Sequence, residues 1–129
     1  MISSLVLKEY GILSDTIFDI VKRANPEIED LDQISIGQKI ILPNLDIDNM
    51  IVEVGKGVFS VHVASFSSYD DAKQYFKKSA REKLPISISP VKITGRKLWY
   101  RVTVGNFSNR VQAIEYAKNN KLANFPYKY

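Results

Sequence analysis

The chain has 129 residues, 45% of them hydrophobic and 25% charged, enough for one ordinary domain or two small ones and without the composition of a disordered chain. It contains no cysteine, which excludes disulfide frameworks, thiolate catalysis and cysteine zinc sites, and a single histidine, His62, which excludes a multi-histidine metal site. Charge is unevenly placed: residues 1–50 hold four Lys/Arg against nine Asp/Glu, a balance of −5, and residues 51–129 hold fourteen against five, a balance of +9. An acidic half joined to a basic half predicts two modules, the basic one suited to anionic or polar extended ligands. No apolar run reaches the roughly 18–20 residues of a membrane span. The start, Met1-Ile2-Ser3-Ser4, lacks the basic and apolar stretches of a signal peptide. A role outside the cytosol therefore implies that this chain is part of a longer protein or is exported with a partner.

Taken in order, Leu5-Val6-Leu7 reads as a short strand. Ser14 or Asp15 caps a helix whose apolar positions 17, 20, 21 and 24 follow a helical period, and Asn25-Pro26 ends it. Glu27–Ile34 reads as a second, shorter helix with Ile28, Leu31 and Ile34 on one side, and Lys39-Ile40-Ile41-Leu42 as a strand after a turn at Gly37. The first segment, residues 1–43, is thus expected to be β-α-α-β. Residues 44–56 are expected to form a linker, beginning with the polar stretch Asn44 to Asn49.

Residues 57–129 contain an internal repeat. Ser60-Val61-His62-Val63-Ala64-Ser65-Phe66-Ser67 aligns with Arg101-Val102-Thr103-Val104-Gly105-Asn106-Phe107-Ser108 at an offset of 41, and Ala72 and Tyr75 align with Ala113 and Tyr116. Each copy is an alternating strand, a polar turn and a helix. Ser68 with Asp71, and Asn109 with Gln112, resemble capping boxes. Ile86-Ser87-Ile88 and Val91-Lys92-Ile93 alternate as a strand does, Gly95 turns the chain into Leu98–Val104, and Phe125–Tyr129 offers a last edge strand. The order β-α-β-β-α-β predicts an α+β, ferredoxin-like four-stranded antiparallel sheet with two helices on one face.

Phe59-Ser60-Val61-His62-Val63-Ala64-Ser65-Phe66, followed by Trp99-Tyr100-Arg101-Val102-Thr103-Val104-Gly105-Asn106-Phe107, resembles the paired strands of a SPOR domain over roughly residues 57–129. His62 stands where that family usually has Gln, Ala64 replaces its first Gly, and Asn106 replaces Pro. The resemblance implies binding of peptidoglycan glycan strands stripped of their stem peptides, through His62, Ser65, Arg101 and Thr103 with Trp99 beside them. Asp15-Thr16-Ile17, Asn25-Pro26 and Gly37-Gln38-Lys39-Ile40-Ile41-Leu42-Pro43 are similar to LysM, a small β-α-α-β glycan-binding module. That resemblance implies a second groove at Asp15, Thr16 and Gln38. Both families imply a cell-envelope or periplasmic setting, cell division among the processes served, peptidoglycan and other envelope proteins as partners, and no cofactor.

Strand alternation points Val61, Val63, Tyr100, Val102 and Val104 toward the helices and Ser60, His62, Ala64, Trp99, Arg101 and Thr103 toward an open face. There, small Ala64 and Gly105 leave room for a ligand, and Arg101 or Lys92 can meet the lactyl carboxylate that a stripped glycan exposes. Trp99 is equally suited to packing beneath the Phe125–Tyr129 strand, and Asp15 and Thr16 to capping their helix. The acidic residues Glu27, Glu29, Asp30 and Asp32 lack the spacing of a calcium loop. Catalysis is not expected: the one histidine, His62, sits on a strand with no obvious carboxylate neighbour to make a Ser/His/Asp set, and the basic half lacks two carboxylates on the open face for glycoside hydrolysis. The alternative is an RNA or single-stranded DNA binder using the same sheet, but only Trp99 among the outward residues could stack on a base.

Overall fold

A computed structural model describes residues 2–35, 37–78, 85–95 and 97–119. The described elements are helices α1 (Ile2–Tyr10) and α2 (Asp15–Ala24), a 3-10 turn Ile47–Met50, strands β1 (Ile51–Gly55) and β2 (Val58–Phe66), helix α3 (Tyr69–Lys78), strands β3 (Ile86–Lys92) and β4 (Leu98–Phe107), and helix α4 (Arg110–Asn119).

The first segment departs from the expected β-α-α-β order. Leu5-Val6-Leu7 lies in α1, because burial follows a four-residue step from Ile2 to Val6 while Leu5 and Leu7 face water. Gly11, at φ +74°, closes that helix in the left-handed conformation, its N–H bonding the Leu7 carbonyl at 2.8 Å. Helix α2 is as expected: the Ser14 hydroxyl accepts from the Thr16 and Ile17 amides at 3.1 and 3.5 Å. Residues 27–34 are turns rather than a helix. The three-residue spacing of Ile28 and Leu31 fits turns as well as helix, and the Asp30 carboxylate takes the Asp32 amide at 2.9 Å. Residues 39–42 make no sheet ladder. Instead the buried Asn25 side chain plays the part of a neighbouring strand, donating to the Ile41 carbonyl and accepting from the Ile41 amide, both at 2.8 Å. The described residues of this segment therefore do not form the β-α-α-β order expected of a LysM-like module.

The sheet is antiparallel in the order β1-β2-β4-β3, so the two repeat strands lie side by side at its centre as the alignment predicts. β1 falls inside the expected linker and forms the edge beside β2, pairing Ile51 with Val61 and Val52 with Ser60. Placement of a strand at residues 125–129 lies outside the described residues. α3 and α4 begin where the capping signals put them: Ser68 accepts from the Asp71 amide at 3.4 Å, and Asn109 from the Gln112 amide at 2.9 Å.

One face of the sheet carries Val61, Val63, Val102 and Val104 against Ala72 of α3 and Ala113 and Ala117 of α4. The other face is covered as well. Trp99 and Ile93 join Ile2 and Val6 of α1, Ile17 and Val21 of α2, and Ile28 and Leu31 in a second core. The Leu31 amide bonds the Ile93 carbonyl at 3.0 Å. The N-terminal segment thus packs on the sheet face opposite α3 and α4.

Candidate functional site

A register shift between His62 and Ala64 sets the chemistry of this second face. Simple alternation would point Ala64 toward it. The bulge instead places Ala64 opposite Val102 and Ser65 opposite Arg101, so His62, Ser65, Arg101 and Thr103 share one side. The residues implied by the SPOR resemblance are therefore brought together, but they do not face open solvent. His62 is fully buried, Ser65 and Thr103 nearly so, and the Arg101 side chain retains 17% exposure.

What covers them is α2. Its residues Thr16, Asp19 and Arg23, spaced i, i+3 and i+7, form a polar stripe aimed at the sheet. Arg101 Nε and a terminal nitrogen donate to the two Asp19 oxygens at 2.7 and 2.5 Å, a bidentate pair on a carboxylate with no solvent exposure. The Ser65 hydroxyl lies 2.5 Å from Asp19 Oδ2 and 2.6 Å from His62 Nε2, and Arg23 lies 2.9 Å from His62 Nδ1. One proton arrangement satisfies all of these contacts: Arg23 donates to Nδ1, Nε2–H to Ser65, and the Ser65 hydroxyl to Asp19. Thr16 Oγ1 accepts the Ser65 amide at 3.0 Å, and Arg23 also donates to the Asn49 carbonyl at 2.8 Å.

Electrostatics agree with that arrangement. Burial alone would raise the Asp19 pKa, but the hydrogen bonds and charge of Arg101, aided by Ser65, hold it down at about 2. Burial drives the His62 pKa down to about 3, with Arg23 and Arg101 adding to the effect and Asp19 opposing it, so the ring is neutral at pH 7. Arg23 is lowered to about 10 by burial and by the charges of Arg101 and Arg110, and remains a cation.

The other sequence-derived candidates have structural partners. Trp99 packs edge-on against Phe18, ring centres 6.1 Å apart, rather than lying free for a sugar or a base. Asp15, besides opening α2, accepts the Ser67 amide at 2.8 Å, so Asp15 and Thr16 together clasp the end of β2. Gln38 lies apart from them, its side-chain oxygen accepting the Ser35 amide at 3.0 Å. Gly105 is a backbone device rather than an opening for a ligand: at φ +82°, it has the Phe107 ring where a Cβ would be. Sequence reasoning missed Asp19 and Arg23, and with Asp19 the carboxylate neighbour, 3.4 Å away, that His62 was expected to lack; Asn25 was read as a helix end and motif residue but not as the partner of Ile41. The i, i+3, i+7 stripe beside the apolar positions of α2 was the available signal for the first two.

Among the described residues no group of three or more His, Asp or Glu could hold a metal ion, and no helix is long and apolar enough to cross a membrane. No curated protein and no solved structure shows significant similarity to the chain. The family model of the SPOR domain matches residues 55–125, which take in β2, α3, β3, β4 and α4. The paired central strands, their two capped helices and this match agree, and the chain belongs to the SPOR family, whose domains bind the peptidoglycan of the bacterial cell wall.

Proposed function

We propose that this chain binds peptidoglycan glycan strands without cleaving them, using the sheet face that carries His62, Ser65, Arg101 and Thr103. The observation that carries the reading is the Arg101–Asp19 pair, in which a guanidinium on that face takes a carboxylate by both oxygens. A muramyl residue that has lost its stem peptide exposes a lactyl carboxylate, the same chemical group. Ser65, Thr103 and His62 supply the neutral donors and acceptors that sugar hydroxyl and N-acetyl groups need. The setting is the cell envelope, with glycan strands as the partner. The RNA alternative has less support, because Trp99 is the one aromatic on that face and base recognition on such a sheet stacks two or three.

The test is sedimentation with purified sacculi, with and without amidase treatment to remove stem peptides. The chain is expected to pellet, more strongly after amidase, and to release no soluble muropeptides. A charge-assisted bond is worth about 1.5–3 kcal/mol, so Arg101→Ala added to Asp19→Asn, compared with Asp19→Asn alone so that the lost Asp19 pair cancels, should weaken pelleting about tenfold or more. Arg101→Lys, which keeps the charge but loses the planar fork, should fall between. Circular dichroism checks that each variant is folded. Equal binding by folded Asp19→Asn chains with and without Arg101→Ala would remove the sheet face as the site, and release of muropeptides would overturn the non-catalytic reading.

A further inference from the structure

We infer that α2 is an internal occupant of the glycan face, so that glycan strand and helix compete for the same side chains; this rests on the glycan reading above. Of the groups that would recognise a stripped glycan, His62, Ser65 and Arg101 are satisfied from α2 or through it. Asp19 fills both arms of the Arg101 fork. Asp19 also ends the chain running from His62 through Ser65, and Thr16 takes the Ser65 amide. In chemical terms Asp19 stands in for a ligand carboxylate, and Ser65 and His62 are held as a sugar would hold them.

The character of the interface supports exchange. On the opposite face the sheet meets α3 and α4 through Val, Ala and aromatic side chains, which no polar ligand could replace. Under the middle of α2 the contact is a polar network around a buried ion pair. Such a network gives little net stability over an apolar contact of the same size, because both charges lose their hydration. A glycan entering there returns hydrogen bonds of the same kind to the sheet, so the polar part of the exchange is nearly balanced. What holds α2 down is the flanking apolar core around Trp99, Ile17 and Val21, together with the clasp of Asp15 on the Ser67 amide. Apparent affinity for glycan is then the intrinsic affinity multiplied by the fraction of molecules with α2 lifted.

Two variants of the full chain test this against amidase-treated sacculi. Asp19→Asn keeps the shape of the side chain but removes its charge, and should bind on the order of tenfold more tightly than the parent. Asp15→Cys with Ser67→Cys places two thiols across the clasp in a chain that has no cysteine of its own. The oxidised form, its cross-link verified by loss of free thiols, should lose pelleting, and a reductant should restore it. Equal binding by the oxidised and reduced forms would overturn the competition, as would a folded Asp19→Asn variant no tighter than the parent. If neither the parent, nor Asp19→Asn, nor the reduced double variant pellets at all, the glycan reading itself falls and the competition with it.

Discussion

Acid should destabilise this protein earlier than its carboxylates alone would dictate, and His62 is the reason. The ring is fully buried, and burial together with Arg23 and Arg101 lowers its pKa from 6.5 to about 3. In the unfolded chain it takes up a proton near pH 6.5. The folded pKa is the lower one, so the unfolded state binds the proton first. The associated stability is complete above about pH 6.5 and is lost as pH falls toward 3. The slope is at most about 1.4 kcal/mol per pH unit, and the whole window is worth up to about 5 kcal/mol. Asp19 acts lower down: with a folded pKa of about 2 against 3.8, its contribution starts to be lost only as pH falls below about 4. His62→Gln places an amide that can donate to Ser65 and accept from Arg23 without titrating. Urea unfolding followed by fluorescence suits the measurement, since Trp99, the single tryptophan, is buried against Phe18. Between pH 6.5 and 4 the parent should lose stability steadily, while His62→Gln should stay nearly flat. Parallel slopes for the two proteins, or a His62 ring resonance titrating near 6.5 in the folded state, would refute the reasoning.

Gly105→Ala should destabilise strongly, by about 2 kcal/mol or more in urea unfolding, because a Cβ there would collide with the Phe107 ring at a φ of +82°. Gly37→Ala is the control, with a similar φ of +84° but nothing within 4 Å, and should cost only about 1 kcal/mol. Asn25→Ala removes the bonds to Ile41 and the bond to the Val21 carbonyl at 2.7 Å, and should cost about 1–3 kcal/mol and speed hydrogen exchange at the Ile41 amide.

The C-terminal part of the fold was legible because its signals are local and doubled. Two copies of an alternating strand, each followed by a capped helix, predict a central strand pair, and β2 and β4 form it. The N-terminal segment was not, since its signals are ambiguous at short range. Leu5-Val6-Leu7 looks like a strand until Ile2 is known to be the partner of Val6 in the core. Ile40 and Ile41 look like a strand until the Asn25 amide is known to stand where a neighbouring strand would. At the site, alternation placed His62, Arg101 and Thr103 on one face but could not register a bulge, so it misplaced Ala64 and gave no reason for Ser65 to face Arg101. Nor does alternation say what covers a face. Asp19, a charged residue within a short helix, reads as solvated unless its i−3 and i+4 neighbours Thr16 and Arg23 are taken with it.

The charge split along the sequence takes on a different meaning once that packing is known. An acidic segment and a basic one suggest modules with separate tasks, yet the acidic segment here supplies partners for the basic one. The Asp19 carboxylate meets Arg101 and the Asp15 carboxylate meets the Ser67 amide, while the Asp48 carbonyl accepts from Arg110. Stability alone does not require this. Apolar side chains at the positions of Asp19 and Arg101 could be as stable, since a buried ion pair spends most of its attraction on lost hydration. The alternative helix face was available, because Ile17, Ile20 and Val21 lie on the same α2 and fill cores. A polar face built to be covered permanently would therefore be hard to explain by packing. A face built to hold a carboxylate, and covered by a helix that carries one, follows directly if the same side chains serve both the helix and an anionic glycan.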